Sequence, residues 1–218
     1  KIMTIIQQTI RKFNEKYPVE DLVILNDQSI TFNSYFFGPL METYPISQDH
    51  KLVNVNNPYY KKLFKVYITL TPYYPTKSPS IGVQQKAIFH PNIDFVSGSV
   101  CVNNLKTDWD SSIQLIDIIE TIIPSLLIQP NSSDPQDLQA ADMLNKSPLK
   151  FIETAKIAAE KSCVKYEQIK QIKNKPKHFE EMLQKYGLDI EVNNGINQQK
   201  SKVRETKNEK WKINLDDD

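Results

Sequence analysis

Cys101 offers the most chemistry in this sequence. It follows Ser97-Gly98-Ser99-Val100 in an aperiodic stretch, eleven positions after His90 and nine after Asn92. As a thiolate it is a nucleophile; as a thiol it is a small apolar residue that packs in a core. The neighbouring polar groups bear on that choice. The amide of Asn92 is suited to satisfying the backbone of its own loop. Asp134, in Asp134-Pro135, is placed to cap the start of a helix. His90 reads as a structural residue that satisfies loop backbone. A Cys-His protease dyad would also need an orienting Asn or Asp and an oxyanion hole, and the pattern gives it little support. His50, His90 and His178 lie far apart, and with Cys101 and Cys163 they show no zinc-ligand spacing. No metal and no cofactor are expected. Two cysteines make no disulfide framework, which points to a reducing compartment.

The elements that must position these groups follow from periodicity. Ile2, Ile5, Ile6, Ile10 and Phe13 recur at helical spacing and predict an opening amphipathic helix. Ile30, Phe32, Ser34 and Phe36 alternate with Thr31, Asn33, Tyr35 and Phe37 ahead of a Gly38-Pro39 turn, and Phe64, Val66, Ile68 and Leu70 repeat the alternation. Both read as strands. A short further strand is expected over residues 80–83, after a loop braced by Pro72, Pro75 and Pro79. Residues 40–62 form a polar stretch longer than a hairpin needs and read as an insertion. Paired apolar residues from Ile113 to Leu127 predict a helix buried against the sheet, which Pro124 should kink or end. A helical stretch is expected from Asp134-Pro135 through Leu144, a long helix over 148–172 that buries Phe151, Ile157, Tyr166, Ile169 and Ile172, and a short one between Pro176 and Gly187.

Composition narrows the function classes. In 218 residues, 27 Lys and Arg balance 26 Asp and Glu, so no global field gathers nucleic acid or an anionic surface. The most apolar stretch is broken by Gln114, Asp117 and Glu120, so no transmembrane segment is expected. The sequence opens on Lys1 with no secretory signal, which fits a processed start or one lying before Lys1.

Read in order, Tyr74-Pro75, Ser78-Pro79, Phe89-His90-Pro91-Asn92-Ile93-Asp94, Gly98-Ser99-Val100-Cys101, Trp109, Leu126-Leu127, Pro130-Asn131 and Asp134-Pro135 strongly resemble the ubiquitin-conjugating enzymes. The likeness covers about residues 2–159. It implies an α+β fold: an N-terminal helix, a four-stranded antiparallel meander, then helices, with an extra C-terminal helix and a polar tail. It also implies that Cys101 carries ubiquitin or a ubiquitin-like modifier as a thioester received from an activating enzyme, and that Asn92 and Asp134 assist transfer to lysine. Residues 77–82, Ile93-Asp94 and Ile123-Pro124-Ser125-Leu126-Leu127 look most like the branch that acts on histones and gluconeogenic enzymes. Trp109 and Tyr74 read as core.

Departures from that pattern fall on transfer and partner recognition. The acid usually found two places after the cysteine is Asn103. The ligase-contact aromatic after Tyr74-Pro75 is Thr76, and Ser-Pro-Ala after the tryptophan is replaced by Asp110-Ser111-Ser112. Partner contacts are expected at Arg11, Lys12, Thr76, Ser111, Ser112 and Trp211, with a possible ligase among the partners and subunit contacts through the insertion at 41–62 and the tail over 189–218. The expected organisation is a core domain over 1–161 with an insertion at 41–62, a helical extension over 162–188, and a polar tail over 189–218 ordered on a partner through Trp211, Ile213 and Leu215. Two functions compete: an active conjugating enzyme of cytoplasm or nucleus, or a structural subunit of a large assembly, mitochondrial if the opening basic helix is a targeting element.

Overall fold

The computed structural model describes residues 2–48, 51–100, 109–131 and 133–189. Helix α1 (Ile2–Asn14) buries Ile6, Ile10 and Phe13, with Arg11 and Lys12 in its last turn, where positive charge suits the helix dipole. Phe13 meets Phe32 edge-on at 5.7 Å, which docks the helix on the sheet. The sheet has four antiparallel strands, β1 (Glu20–Ile24), β2 (Ile30–Phe37), β5 (Leu63–Leu70) and β6 (Ser80–Val83), in that spatial order. The meander implied by the resemblance is therefore present. Its two central strands pair in one unbroken register, from Ile30 opposite Leu70 to Phe37 opposite Leu63.

Between them, the stretch read as a polar insertion contains a second antiparallel ladder, β3 (Thr43–Gln48) with β4 (Lys51–Asn56). It is less superficial than its composition predicts. Tyr44 and Ile46 are buried, the Tyr44 ring lies 6.4 Å from that of Phe151, and Tyr59 is fully inside the core. The Gly38 N–H donates to the Lys62 carbonyl at 2.7 Å, closing the base of this excursion. A Cβ at Gly38 would stand 2.1 Å from the Tyr59 carbonyl oxygen, so this close crossing needs glycine.

The apolar run after Trp109 forms α2 (Leu115–Asp117), a π-helical turn (Ile118–Ile122) and α3 (Ile123–Ile128) in direct succession. Pro124 neither ends nor breaks it. The Ile123 N–H reaches back five residues to the Ile118 carbonyl, and the proline enters within the first turn of α3, where a missing N–H is tolerated. Helix α4 (Leu138–Lys146) starts later than expected, because Asp137 and not Asp134 is its N-cap and accepts from the Ala140 N–H at 2.9 Å. The long helix expected over 148–172 is two helices, α5 (Pro148–Ser162) and α6 (Tyr166–Gln171). The break is at Cys163, which turns extended so that the Val164 N–H donates to the Leu63 carbonyl at 2.8 Å. Helix α5 buries Phe151, Ala155, Ala158 and Ala159 and leaves Ile157 exposed.

Helix α7 (Lys177–Tyr186) ends at Gly187, whose φ of 67° gives the left-handed cap. The Phe179 ring lies 5.7 Å from Tyr17, 5.8 Å from Tyr35 and 5.5 Å from Phe37, and Tyr186 lies 4.6 Å from Phe37. The last half of β2 is consequently buried on both faces, although its sequence alternates. His178 pairs with Glu120 at 2.7 Å and ties the helix to the π turn. Phe179→Ala would open a cavity among three rings, and urea unfolding should show a loss of about 3–5 kcal/mol.

Candidate functional site

The loop entering the Cys101 segment has one isolated bridge to a strand, Ser99 with Gly82 of β6, and two within itself, His90 with Ile93 and Ile93 with Val100, and side chains hold much of the rest. The Tyr59 hydroxyl donates to the Phe89 carbonyl at 2.6 Å. His90 is fully buried, and its Nδ1 accepts from the Asn92 N–H at 3.1 Å. Burial without a countercharge keeps the imidazole neutral and pushes its pKa down from 6.5 to about 3. The Leu126 backbone opposes that shift in part, and Nε2 has no hydrogen-bond partner of ordinary geometry among the described residues.

Asn92 joins this loop to the one carrying Asp134. Its Nδ2 donates to the Asn131 carbonyl at 2.8 Å and to the Asp134 carbonyl at 3.3 Å, while Oδ1 accepts from the Asn131 N–H at 2.8 Å. The Pro91 carbonyl accepts from the Gln136 and Asp137 N–H groups at 2.7 and 2.9 Å, and Asp137 Oδ2 accepts from the Phe95 N–H at 3.3 Å. Two loops about forty residues apart in the chain are thereby laced along both edges. The Asp134 side chain is exposed on this seam.

Approach to Cys101 is set by Val100, whose N–H donates to the Ile81 carbonyl at 3.1 Å. The turn before it depends on Gly98 at φ 79°: a Cβ there would stand 2.0 Å from the Val83 carbonyl oxygen. Asp94 accepts from the Ser97 N–H at 2.6 Å, and hydrogen bonds from Ser97 hold its carboxyl below the usual range. Cys101 and Asn103 themselves lie outside the described residues, as does Trp211.

The remaining expected contacts gather elsewhere. Lys12 and Ser111 line a groove of about 670 Å³ between α1 and the segments at 74–75 and 111–117, with Ile5, Tyr74 and Ile113 as apolar wall. Arg11, Thr76 and Ser112 are exposed beside these lining residues in sequence. Tyr74 is buried, and the half-buried Trp109 anchors the groove by donating from Nε1 to the Pro75 carbonyl at 2.7 Å. Sequence reasoning missed three participants. Asn131 stands in Pro130-Asn131 with no role of its own in the motif, Ile5 shares the helical spacing of the buried residues of α1 yet is exposed, and nothing in the polar stretch signals Tyr59.

A thiol-bearing segment led in by a laced loop, on an antiparallel meander with helices grouped after it, defines the ubiquitin-conjugating fold. Residues 50–159 match the ubiquitin-conjugating enzyme family, 110 of 218 residues, and the chain belongs to that family. It is 38% identical over 120 residues to ubiquitin-conjugating enzyme E2-24 kDa of Saccharomyces cerevisiae, covering 55% of this chain and 48% of the relative. To ubiquitin-conjugating enzyme E2-23 kDa of Triticum aestivum it is 45% identical over 82 residues, 38% of this chain and 44% of that one. A NEDD8-conjugating enzyme of Schizosaccharomyces pombe is 34% identical over 110 residues, 50% and 60% of the two chains. The chain spans about half the length of the curated relatives it matches. Among solved structures, the E2 domain of a Toxoplasma gondii ubiquitin conjugating enzyme superposes with a TM-score of 0.50 at 27% identity, over 61% of this chain and 80% of that one. The expectation of a purely structural subunit gains no support from these relatives, each of which is named a conjugating enzyme.

Neutral His90 makes stability depend on pH. Above pH 6.5 the imidazole is uncharged in both states; below it the unfolded chain takes up a proton that the folded chain refuses until about pH 3. Stability should therefore fall with falling pH, by about 2–3 kcal/mol between pH 6.5 and about 4.5. Urea midpoints over that interval should show a flatter slope in His90→Asn.

Proposed function

We propose that the chain is an active ubiquitin-conjugating enzyme. The observation that carries this reading is the lacing of Asn92 to the Asp134 loop directly upstream of the segment that bears Cys101. The thiolate of Cys101 attacks the thioester carbonyl that links ubiquitin's C-terminus to the activating enzyme, and the activating enzyme's own thiolate leaves. A lysine amine then attacks the new thioester, its proton passes to solvent or a nearby carboxylate, and Cys101 departs as thiolate. Asn92 Nδ2 stabilises the oxyanion of that second step by giving up its longer bond, 3.3 Å to the Asp134 carbonyl, and exposed Asp134 orients and desolvates the amine. Asn103 in place of the usual acid leaves one negative charge fewer along the lysine path.

The groove lined by Lys12, Tyr74 and Ser111 receives the activating enzyme and, in turn, a ligase. With Thr76 in place of an aromatic, the apolar part of that contact falls to Ile5 and Ile113. Residues 77–82 and Ile93-Asp94 support placing the chain on the branch directed at histones and gluconeogenic enzymes. Ubiquitin is the modifier we favour, since relatives at 45% and 38% identity are named for it; NEDD8, for which relatives at 38% and 34% are named, is the alternative to run beside it.

A charging reaction with activating enzyme, ATP and modifier, resolved on a non-reducing gel, should give a reductant-sensitive band of one added ubiquitin that Cys101→Ser lacks. No band with ubiquitin or NEDD8 from folded protein would sink the proposal. Asn92→Ala should still charge, yet its single-turnover discharge to free lysine should slow by about 10²–10³-fold. A loss no larger than the loss of folded protein would leave Asn92 a loop tether alone.

A further inference from the structure

In the proposed lysine transfer, Asn92 Nδ2 gives up the Asp134 carbonyl, one of the three bonds that its side chain makes to the opposite loop. The backbone on either side of Asn92 then decides how well its amide stays aimed. On one side, the Pro91 carbonyl is held by the N–H groups of Gln136 and Asp137. On the other, Phe95 is fixed three ways. Its carbonyl accepts from the Lys86 N–H at 2.9 Å, its ring meets Phe89 edge-on at 5.4 Å, and its N–H donates to Asp137 Oδ2 at 3.3 Å. The first two contacts stay within residues 86–95. The third crosses to the loop that carries Asp134.

Asp137 therefore grips the Asn92 loop at two points, residue 91 through its own N–H at 2.9 Å and residue 95 through its carboxylate. Its other carboxylate oxygen accepts from the Ala140 N–H at 2.9 Å, which anchors the side chain on the first turn of α4. A carboxylate suits this place because both of its oxygens accept and both neighbours are N–H donors. A single hydroxyl can cap the helix but has no second oxygen for Phe95, and an amide would turn a donor toward one of the two N–H groups.

We propose that Asp137 is a positioning residue for lysine transfer: by fixing Phe95 it keeps the Asn92 amide aimed at the oxyanion while the bond to the Asp134 carbonyl is open. The inference rests on the reading of Asn92 as oxyanion donor. Asp137 acts through Asn92 and not on the reacting atoms.

Single-turnover discharge to free lysine from the charged full chain tests this, since molecules that never fold carry no thioester and do not enter the measurement. Asp137→Ser and Asp137→Ala both lose the bond to Phe95, but only serine keeps the helix cap. Both should lower the discharge rate at saturating lysine about tenfold, with the lysine concentration for half-maximal rate unchanged, while the urea midpoint of Asp137→Ala falls below that of Asp137→Ser. In an Asn92→Ala background, Asp137→Ser should slow discharge no further, because the group it positions is gone. A native rate in Asp137→Ser would overturn the proposal, as would Asn92 and Asp137 effects that multiply in the double variant; either result leaves Asn92 as donor intact. A rate that follows the urea midpoint across the two Asp137 variants would also overturn it, in favour of a helix cap alone. If Asn92→Ala itself discharges at the native rate, the oxyanion role falls and this inference falls with it.

Discussion

The carboxamide of Asn92 makes three hydrogen bonds, and through them the loop leading toward Cys101 and the loop bearing Asp134 are one unit. Each bond contributes only about 0.5–1.5 kcal/mol net, but a side chain that lost them would strand nearly buried polar groups, and that cost is larger. The lacing is reciprocal: the Pro91 carbonyl is held by two N–H groups of the opposite loop, and Asp137 both caps α4 and holds Phe95. Helix α4 is thus braced against the same loop as the candidate oxyanion donor. Neither loop could shift without moving the other.

A second constraint comes from below. His90 is sealed in the core with Tyr59 at its side, and that tyrosine belongs to the excursion between β2 and β5. The excursion is therefore a support for the reactive loop as well as an added hairpin. Thr43, Pro45, Asn54 and Asn56 of β3 and β4 are exposed, while Tyr44, Ile46 and Tyr59 are buried and carry the packing.

Elements with strong periodicity were readable from sequence: Ile6, Ile10 and Phe13 for α1, the alternation of β2 and β5, and Phe179, Leu183 and Tyr186 for α7. Strand β1 was not, because four consecutive apolar residues at an open edge show no period of two. The break at Cys163 was hidden since Phe151, Ile169 and Ile172 keep a helical phase across it, and only the bond from Val164 to Leu63 reveals the interruption. Pro124 misled because the π turn that absorbs it is a backbone property with no residue signature. At the site, Asn92 and Asp134 were legible through the ordered motifs, whereas Tyr59 was not: its partner, Phe89, is 30 residues away and offers only a carbonyl.

Burial of Phe37 by Phe179 has a consequence for synthesis. Roughly 140 residues separate the two, and at about 5–20 residues per second a ribosome takes about 7–30 s to make the second after the first. Throughout that interval the outward face of β2 presents Tyr35 and Phe37 without Phe179, so the nascent sheet is an apolar surface awaiting α7. Helix α7 then acts as a completion signal: a chain truncated before it would leave aromatic surface for chaperones to recognise.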